Sequence, residues 1–247
     1  RGEMACGEFG EGKMSSPRQI LGYLKSYFDK KNLVKDKNLK ALVTTGPTRE
    51  YIDPVRYISN ESSGKQGLEI AIALDKMGVK TTLIAGPSEI VTPKGIKLKK
   101  ITSANEMLNE VKKTLPVDLA VCAAAVTDFK PYEKNKNKIK KDKLNLHSIK
   151  FIKNIDILEF LSKNNKNRPS IVAGFSAETE NVTKNSIIKM KNKHCDMIIA
   201  NNVSKNKIGF NSDYNKVSII DQKGNIETIP KNKKSFIANK IAQILLD

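Results

Sequence analysis

Tryptophan is missing from this 247-residue chain, and aromatic residues make up only 6% of it. Proteins that grip single-stranded nucleic acid stack bases on aromatic platforms, so that class of function is disfavoured. Cysteine is scarce as well. Cys6, Cys122 and Cys195 are odd in number, widely spaced and without a CxxC pair, which excludes a disulfide framework and a zinc site of the usual spacing. The two histidines, His147 and His194, stand far apart and complete no metal pattern. No apolar run reaches the ~18 residues of a membrane span. The acidic, Gly-rich N-terminus is unlike a signal peptide. A reduced, cytoplasmic protein is expected, with no membrane partner.

What the chain has in plenty is lysine. The formal net charge is +18 and the pI about 9.7. Such a balance suits nucleic acid or small anionic ligands. The lysines are scattered through surface helices and loops, however, and charge runs are usually solvated faces. No nucleic-acid partner is expected. A hydrophobic share of 39% is ample for a normal core.

Periodicity organises the rest. Residues 1–17 read as a loop and 30–40 as a polar linker, with Ile20, Leu21, Leu24, Tyr27 and Phe28 at helical spacing between them. Strands are predicted near 41–45, 80–85, 97–101, 118–123, 171–175 and 196–200. Helices are predicted near 65–77, 103–114, 155–164, 181–193 and 233–246. Val217–Asp221 and Ile226–Ile229 flank a Lys-Gly-Asn turn and read as a hairpin. Strands separated by helices imply an α/β, Rossmann-like doubly wound, mainly parallel sheet, here with an antiparallel hairpin near the C-terminus. The stretch 129–150 is Lys-rich and aperiodic, as functional lids often are.

The richest segment follows the first predicted strand. Thr45 to Gly67 holds Arg49, Arg56, Glu50, Asp53, Asn60 and the turn Ser62-Ser63-Gly64-Lys65-Gln66-Gly67. Glycine admits a phosphate close to backbone N–H groups, and a following helix start favours an anion. The competing reading is an ordinary helix start capped by Ser63. Arg49 and Arg56 favour an anion, because guanidinium pairs bidentately with phosphate or carboxylate. Asn60 can orient a carbonyl or oxyanion, or be a turn residue. The small residues Cys122-Ala123-Ala124-Ala125 close a strand and let a flat ring approach the backbone. Asp128 can accept from an exocyclic amine or ribose, hold a metal, or end a turn. Cys122 reads as a small buried apolar residue. Lys134–Lys141 can fold over a triphosphate or remain a solvated loop. Phe175 can stack on a base. Lys189 and Lys193, at i and i+4, share a helix face.

In order along the chain stand Gly46-Pro47-Thr48-Arg49-Glu50, Asp53-Pro54-Val55-Arg56, Ile58-Ser59-Asn60, Ser62-Ser63-Gly64-Lys65, Ala123-Ala124-Ala125-Val126, Asp128-Phe129, Lys138-Ile139-Lys140-Lys141, Gly174-Phe175-Ser176-Ala177-Glu178-Thr179 and Gly209-Phe210-Asn211-Ser212-Asp213. Over residues 38–247 the chain resembles the bacterial phosphopantothenate–cysteine ligase family. Met4-Ala5-Cys6-Gly7-Glu8, with Gly10, Gly12, Lys13 and Met14, resembles the substrate-covering flap of phosphopantothenoylcysteine decarboxylase, which in bacteria commonly precedes the ligase. The resemblance implies a remnant decarboxylase tail and linker over 1–37. Cys6 would be the acid of the decarboxylase, and FMN would belong to the missing part of that domain. No decarboxylase activity is then expected of the chain alone, unless a separate decarboxylase subunit supplies the rest.

The resemblance also implies a reaction. The carboxylate of 4′-phosphopantothenate attacks the α-phosphate of CTP, giving an acyl-cytidylate and pyrophosphate. The amine of cysteine then displaces CMP. Nucleotide contacts are implied for Ser62, Ser63, Gly64, Cys122, Ala123, Ala124, Asp128, Lys138, Ile155, Asp156, Ile157, Leu158, Phe175, Lys189 and Lys193. Lys138 would assist acyl-cytidylate formation, Asn60 its conversion by cysteine, and Arg56 the binding of the acyl substrate. Mg²⁺ would accompany the triphosphate; its protein ligands are not legible. The family prefers CTP, whereas eukaryotic relatives generally use ATP, and it dimerises with parts of the site near the partner chain. Phe129 stands where Tyr is frequent and Ile155 where Pro is frequent.

Two other classes make different demands. A nicotinamide oxidoreductase needs G-x-G-x-x-G after the first strand and an acid ending the second; Leu83-Ile84-Ala85-Gly86-Pro87 ends without one. A basic nucleic-acid-binding module needs its cations gathered on one face.

Overall fold

The computed structural model describes residues 2–3, 9–10, 15–22, 24, 38–140, 149–163, 166–203 and 212–247. Two short strands, β1 (Gly2–Glu3) and β2 (Phe9–Gly10), pair antiparallel. Residues 17–22 are helical, as expected. Ser16 and Gln19 form a reciprocal cap there: the Gln19 N–H donates to the Ser16 hydroxyl (3.3 Å), and the Ser16 N–H donates to Gln19 Oε1 (3.0 Å). Cys6 and the flap pattern around it lie outside the described residues, as does most of 1–37.

From Lys40 the chain alternates strands and helices. The elements are β3 (Lys40–Thr45), β4 (Arg49–Tyr51), β5 (Tyr57–Ser59), α1 (Lys65–Lys76), β6 (Lys80–Ala85), β7 (Lys97–Lys100), α2 (Ala104–Thr114), β8 (Leu119–Cys122), β9 (Phe129–Pro131) and β10 (Phe151–Lys153). They continue with α3 (Ile157–Lys163), β11 (Ile171–Glu178), α4 (Val182–Lys193), β12 (Met197–Asn202), β13 (Tyr214–Asp221), β14 (Ile226–Lys233) and α5 (Lys234–Leu246). Eight strands form one sheet in the order β14-β13-β12-β11-β8-β3-β6-β7. The six from β12 to β7 are parallel, and β13 and β14 complete an antiparallel edge. Numbered by appearance, the parallel six run 3-2-1-4-5-6, the doubly wound order of dinucleotide-binding folds. The expected fold class is the one found.

Both faces of the sheet are covered, which is why its central strands are apolar at consecutive positions. Ala41 and Val43 of β3, Val121 of β8 and Ile199 of β12 pack with α1 and α5. Leu42, Ala120 and Ile198, each one residue away, pack with α2, α3 and α4 on the other face. The period-2 alternation of a strand thus serves two cores at once.

Four local expectations change. The loop after β3 contains a hairpin, β4–β5, and the aperiodic stretch 129–150 is clasped at its ends by a second one, β9–β10. Strands of three residues are too short to show a period. The strand expected near 171–175 runs on through Ser176-Ala177-Glu178, because β11 pairs with β12 as far as Glu178. Ser63 does not cap α1. The cap position is Gly64, at φ 73°, with no side-chain cap. Glycine there lets the helix start dock on β3, where the Thr45 hydroxyl donates to the Gly64 carbonyl (2.7 Å). Gly67 completes the approach, since a Cβ at this position would lie 2.4 Å from Thr45 Oγ1.

Candidate functional site

The strand order reverses between β3 and β8, and ligands of open α/β sheets bind outside the carboxyl ends at such a point. Beyond the strand ends the two chains stay paired: the Ala123 N–H donates to the Thr44 carbonyl (3.1 Å), and the Ala125 N–H to the Gly46 carbonyl (2.9 Å). On the other side the Gly86 N–H donates to the Thr45 carbonyl (2.9 Å). Three strand ends are thereby held as one rigid rim.

A cavity of about 430 Å³ opens above this rim. The Ser62–Gly67 turn forms one wall, Ala123–Val126 with Asp128 the opposite one, and Phe175, Lys189, Asn201 and Lys234 complete the far side. Asn60 sits at its edge with Nδ2 donating to the Val126 carbonyl (3.0 Å), which ties the two walls together. Asn201 is buried and its Oδ1 has no hydrogen-bond partner among the described residues. A buried amide oxygen left bare calls for a ligand or solvent donor.

A second cavity, also about 430 Å³, adjoins the first and shares Ala124, Val126, Asp128, Phe175 and Lys189 with it. Cys122, Ile155–Leu158 and Lys193 line the rest. Asp156 starts α3 by accepting the Glu159 N–H at 2.8 Å, so α3 begins two residues later than its apolar pattern suggests. Leu158 packs where Gly174 has no Cβ; an added Cβ would lie 2.5 Å from its Cδ2. Lys189 Nζ donates to the Phe175 carbonyl (3.0 Å). Lys193 bonds Asp156 (2.9 Å) and Glu159 (3.2 Å), and the Asp156 bond chiefly holds its ammonium more firmly charged than usual. Burial, reinforced by the Asp156 charge, pushes the Cys122 thiol far up. It is no nucleophile; expected as a buried apolar residue, it is half-buried and lines the cleft.

A third cavity of about 750 Å³ lies on the far side of the Ser62–Ser63 turn and shares Ser62, Ser63, Lys65 and Lys234 with the first. Lys65 ion-pairs with Asp213 (2.5 Å). Lys234 is 5% exposed. Burial, then the charge of Lys65, lower its pKa to about 8, against a partial pull upward from Asp213.

The structure therefore brings together most of the expected residues. Asn60, Ser62, Ser63, Gly64, Ala123, Ala124, Asp128, Phe175 and Lys189 share the first cavity, and Cys122, Ile155, Asp156, Ile157, Leu158 and Lys193 join through the second. Arg56 and Lys138 line neither. Arg56 Nη1 instead meets fully buried Asp53 (2.7 Å) and the Ile139 carbonyl (3.2 Å), while the Ile139 N–H donates to Asp53 (3.3 Å). Burial pushes the Asp53 carboxyl up, but the N–H groups of Val55, Arg56 and Ile139 and the Arg56 charge outweigh it and hold the pKa below the usual range. The pair anchors the Lys-rich segment beside Lys138, whose own side chain is exposed. Asn201 and Lys234 were not anticipated. Asn201-Asn202 reads as a plain turn, and Lys234 is one of several lysines in Lys231-Asn232-Lys233-Lys234. Among the described residues no cluster of His, Cys, Asp or Glu is placed to hold a metal, and no helix is long and apolar enough to cross a membrane.

Residues 36–247 match the family model described as DNA/pantothenate metabolism flavoprotein C-terminal domain. The chain is 40% identical over 245 residues to the coenzyme A biosynthesis bifunctional protein CoaBC of Haemophilus influenzae, covering 99% of this chain and 60% of that one. It is 37% identical over 246 residues to the protein of the same description from Vibrio cholerae, again covering 99% of this chain and 60% of that one. The chain thus spans about 60% of the length of these relatives. Among solved structures, the C-terminal domain of a CoaBC protein superposes with a TM-score of 0.70 at 31% identity, over 84% of this chain and 94% of that one.

Proposed function

Since the chain belongs to the family of the DNA/pantothenate metabolism flavoprotein C-terminal domain, we propose that it is a cytoplasmic ligase of coenzyme A biosynthesis, joining 4′-phosphopantothenate to L-cysteine with CTP. The observation that carries this reading is the run of connected cavities at the switch point, which suits one elongated ligand. In the second cavity Phe175 and the Ile155–Leu158 backbone hold the cytosine and ribose, with Asp128 at the junction. The α-phosphate then lies in the first cavity between the Ser62-Ser63-Gly64 turn and the Ala123-Ala124 backbone, where glycine and alanine permit close approach. Lys189 and Lys193 supply positive charge along the same wall, and Lys138 joins when its segment folds over the cleft. Mg²⁺ accompanying the triphosphate would be held by Asp128, the acid at hand, since such ions take only one or two carboxylates from the protein. The ion adds charge neutralisation when bound.

The carboxylate of phosphopantothenate, brought next to the α-phosphate, attacks phosphorus and expels pyrophosphate. Asn60, at the edge of the same cavity, then supports the acyl carbonyl as cysteine nitrogen attacks and CMP leaves. The 247-residue chain given phosphopantothenate, cysteine, CTP and Mg²⁺ is expected to release pyrophosphate and yield phosphopantothenoylcysteine, with ATP a poorer donor. No pyrophosphate above a no-enzyme blank would refute the reading.

We further propose a homodimer through the two hairpins. Val55, Tyr57, Phe129, Tyr132, Phe151 and Ile152 are all exposed on β4–β5 and β9–β10 or beside them, Tyr132 to 62%. Exposed apolar groups gathered in this way mark interaction surfaces. Arg56 lies in the β4–β5 hairpin connection, so dimerisation would set it beside the partner's cleft, where it could bind the acyl substrate. Sedimentation at micromolar concentration should give a dimer, and Phe151→Asp should shift it towards monomer; a wild-type monomer would sink the idea. Residues 1–37 are proposed as the tail of a decarboxylase domain, with FMN belonging to that domain and not to residues 38–247. The exposed ridge Ile20, Leu21 and Leu24 suits packing against such a neighbour, in the same chain or in a separate decarboxylase subunit.

A further inference from the structure

We propose that Asp53 is a positioning residue of the ligase reaction. Its carboxylate pins Arg56 and the Lys138 segment to each other, so that the cation for the acyl substrate and the cation for the nucleotide are set in place as one unit. The inference rests on the ligase reading, which supplies the roles of Arg56 and Lys138.

Asp53 does not itself touch substrate. It is fully buried, and the chain itself occupies its carboxylate. Oδ1 accepts the N–H groups of Val55 and Arg56 (both 2.8 Å), and Oδ2 accepts Arg56 Nη1 (2.7 Å) and the Ile139 N–H (3.3 Å). A carboxylate offers about four acceptor sites, so none is left over for a ligand or a metal. What the group does is join two segments 86 positions apart. The joint is closed from the other side as well, because Arg56 Nη1 also donates to the Ile139 carbonyl (3.2 Å). Bonds to an ionised group are about twice as strong as neutral ones, which makes this a firm joint.

The two residues so joined keep their functional atoms available. Only Nη1 of the Arg56 guanidinium is engaged. Nη2 and Nε meet no acceptor among the described residues, and the side chain is 34% exposed. Arg56 can thus take a carboxylate or phosphate without leaving Asp53. Lys138, next to Ile139, is exposed, and its ammonium has no partner among the described residues. Earlier in the segment the Asn135 N–H donates to the Ile52 carbonyl (2.9 Å), and the Lys134 ammonium lies 5.0 Å from the Tyr51 ring centroid. Those contacts dock the start of the segment. Among the described residues, only the joint with Asp53 and Arg56 holds its end, beside Lys138. A displacement of about 1 Å in a reacting group can cost ~10²-fold in rate, so an anchor that never meets the reacting atoms still governs them.

The test is Asp53→Asn, read for both cations. The amide Oδ1 keeps the Val55 and Arg56 N–H groups, while Nδ2 turns a donor towards Arg56 Nη1 and the Ile139 N–H. With CTP and phosphopantothenate saturating, pyrophosphate release should fall about tenfold, and the KM for phosphopantothenate should rise about tenfold. In a Lys138→Met background the same change should lower pyrophosphate release by less than about twofold, because residues that act as a unit are non-additive. A merely structural aspartate would cost the same factor in both backgrounds. Ile139→Pro removes one N–H and leaves Asp53 bonded to Arg56, which covers the case in which Asp53→Asn does not fold. It should lower pyrophosphate release about tenfold and leave the phosphopantothenate KM within about twofold of wild type. Equal losses with and without Lys138, or turnover at the wild-type level in a folded variant, overturn the proposal. Hydrogen exchange reads the joint without any turnover. The Ile139 amide of the wild-type chain should exchange at least about tenfold more slowly than in an unstructured peptide; an unprotected amide overturns the joint whatever the activity. A wild-type chain that releases no pyrophosphate while this amide is protected fails the ligase reading, and with it the positioning role, but leaves the joint standing.

Discussion

Asn60→Asp is expected to lower amide formation about a hundredfold while pyrophosphate release continues, so that acyl-cytidylate accumulates. The Asn60 side chain donates to the Val126 carbonyl at 3.0 Å across the cleft. A carboxylate there has no N–H to give. It would face a carbonyl oxygen and place negative charge where phosphates are proposed to sit. Removing a preorganised donor from a developing oxyanion costs ~10²–10³ in rate. The first step asks less of this residue, because the Ser62-Ser63-Gly64 turn and the lysines carry the phosphate charge. Quenched single-turnover reactions separate the two products. Amide formed within threefold of the wild-type rate, or pyrophosphate lost in parallel with amide, would remove Asn60 from the second step.

Gly86→Ala should be the most damaging single substitution at the rim. A Cβ on Gly86 would lie 1.7 Å from the Pro47 carbonyl oxygen and 2.8 Å from its carbon. Both are backbone atoms, so no side chain can swing aside. Relief requires β3 and β6 to part just where Gly86 bonds Thr45 and Gly46 adopts φ 74°. Overpacking a rigid site costs 1–3 kcal/mol and occasionally more, and here roughly 3 kcal/mol or more is expected. For a chain of this size that is a fall in Tm of about 6–12 °C, with the cleft's activity lost. Gly22→Ala is the control, since nothing lies within 4 Å of a Cβ there. Thermal melts of both variants decide it; a Gly86→Ala midpoint within about 2 °C of wild type would contradict the argument.

Gly86 also illustrates what a sequence conceals. Read along the chain, Ala85-Gly86-Pro87 is merely a strand end without an acid. In the fold it is the point where two strand ends touch. Lys234 makes the same point about charge. In Lys231-Asn232-Lys233-Lys234 the lysines carry identical formal charge, and only burial beneath α1 sets one apart. Arg56 is the reverse case, legible as an anion binder but engaged within the chain by Asp53 and Ile139. The short hairpins β4–β5 and β9–β10 escaped notice because three residues carry no period.

Long apolar and amphipathic stretches declared the α/β alternation and the doubly wound class, because burial on one or two faces of an element imposes a period that composition cannot hide. The ordered motifs also named residues that come to line the cleft, such as Asn60, Ala124, Asp128 and Phe175, but not Asn201 or Lys234. What tertiary structure alone decided is which of many similar polar residues face one another. That Asn60 spans to Val126, that Arg56 is held by Asp53 and Ile139, and that Lys65 pairs with Asp213 depend on contacts between segments up to 148 positions apart. Such contacts follow from sheet order and close backbone approach, and no local pattern encodes them.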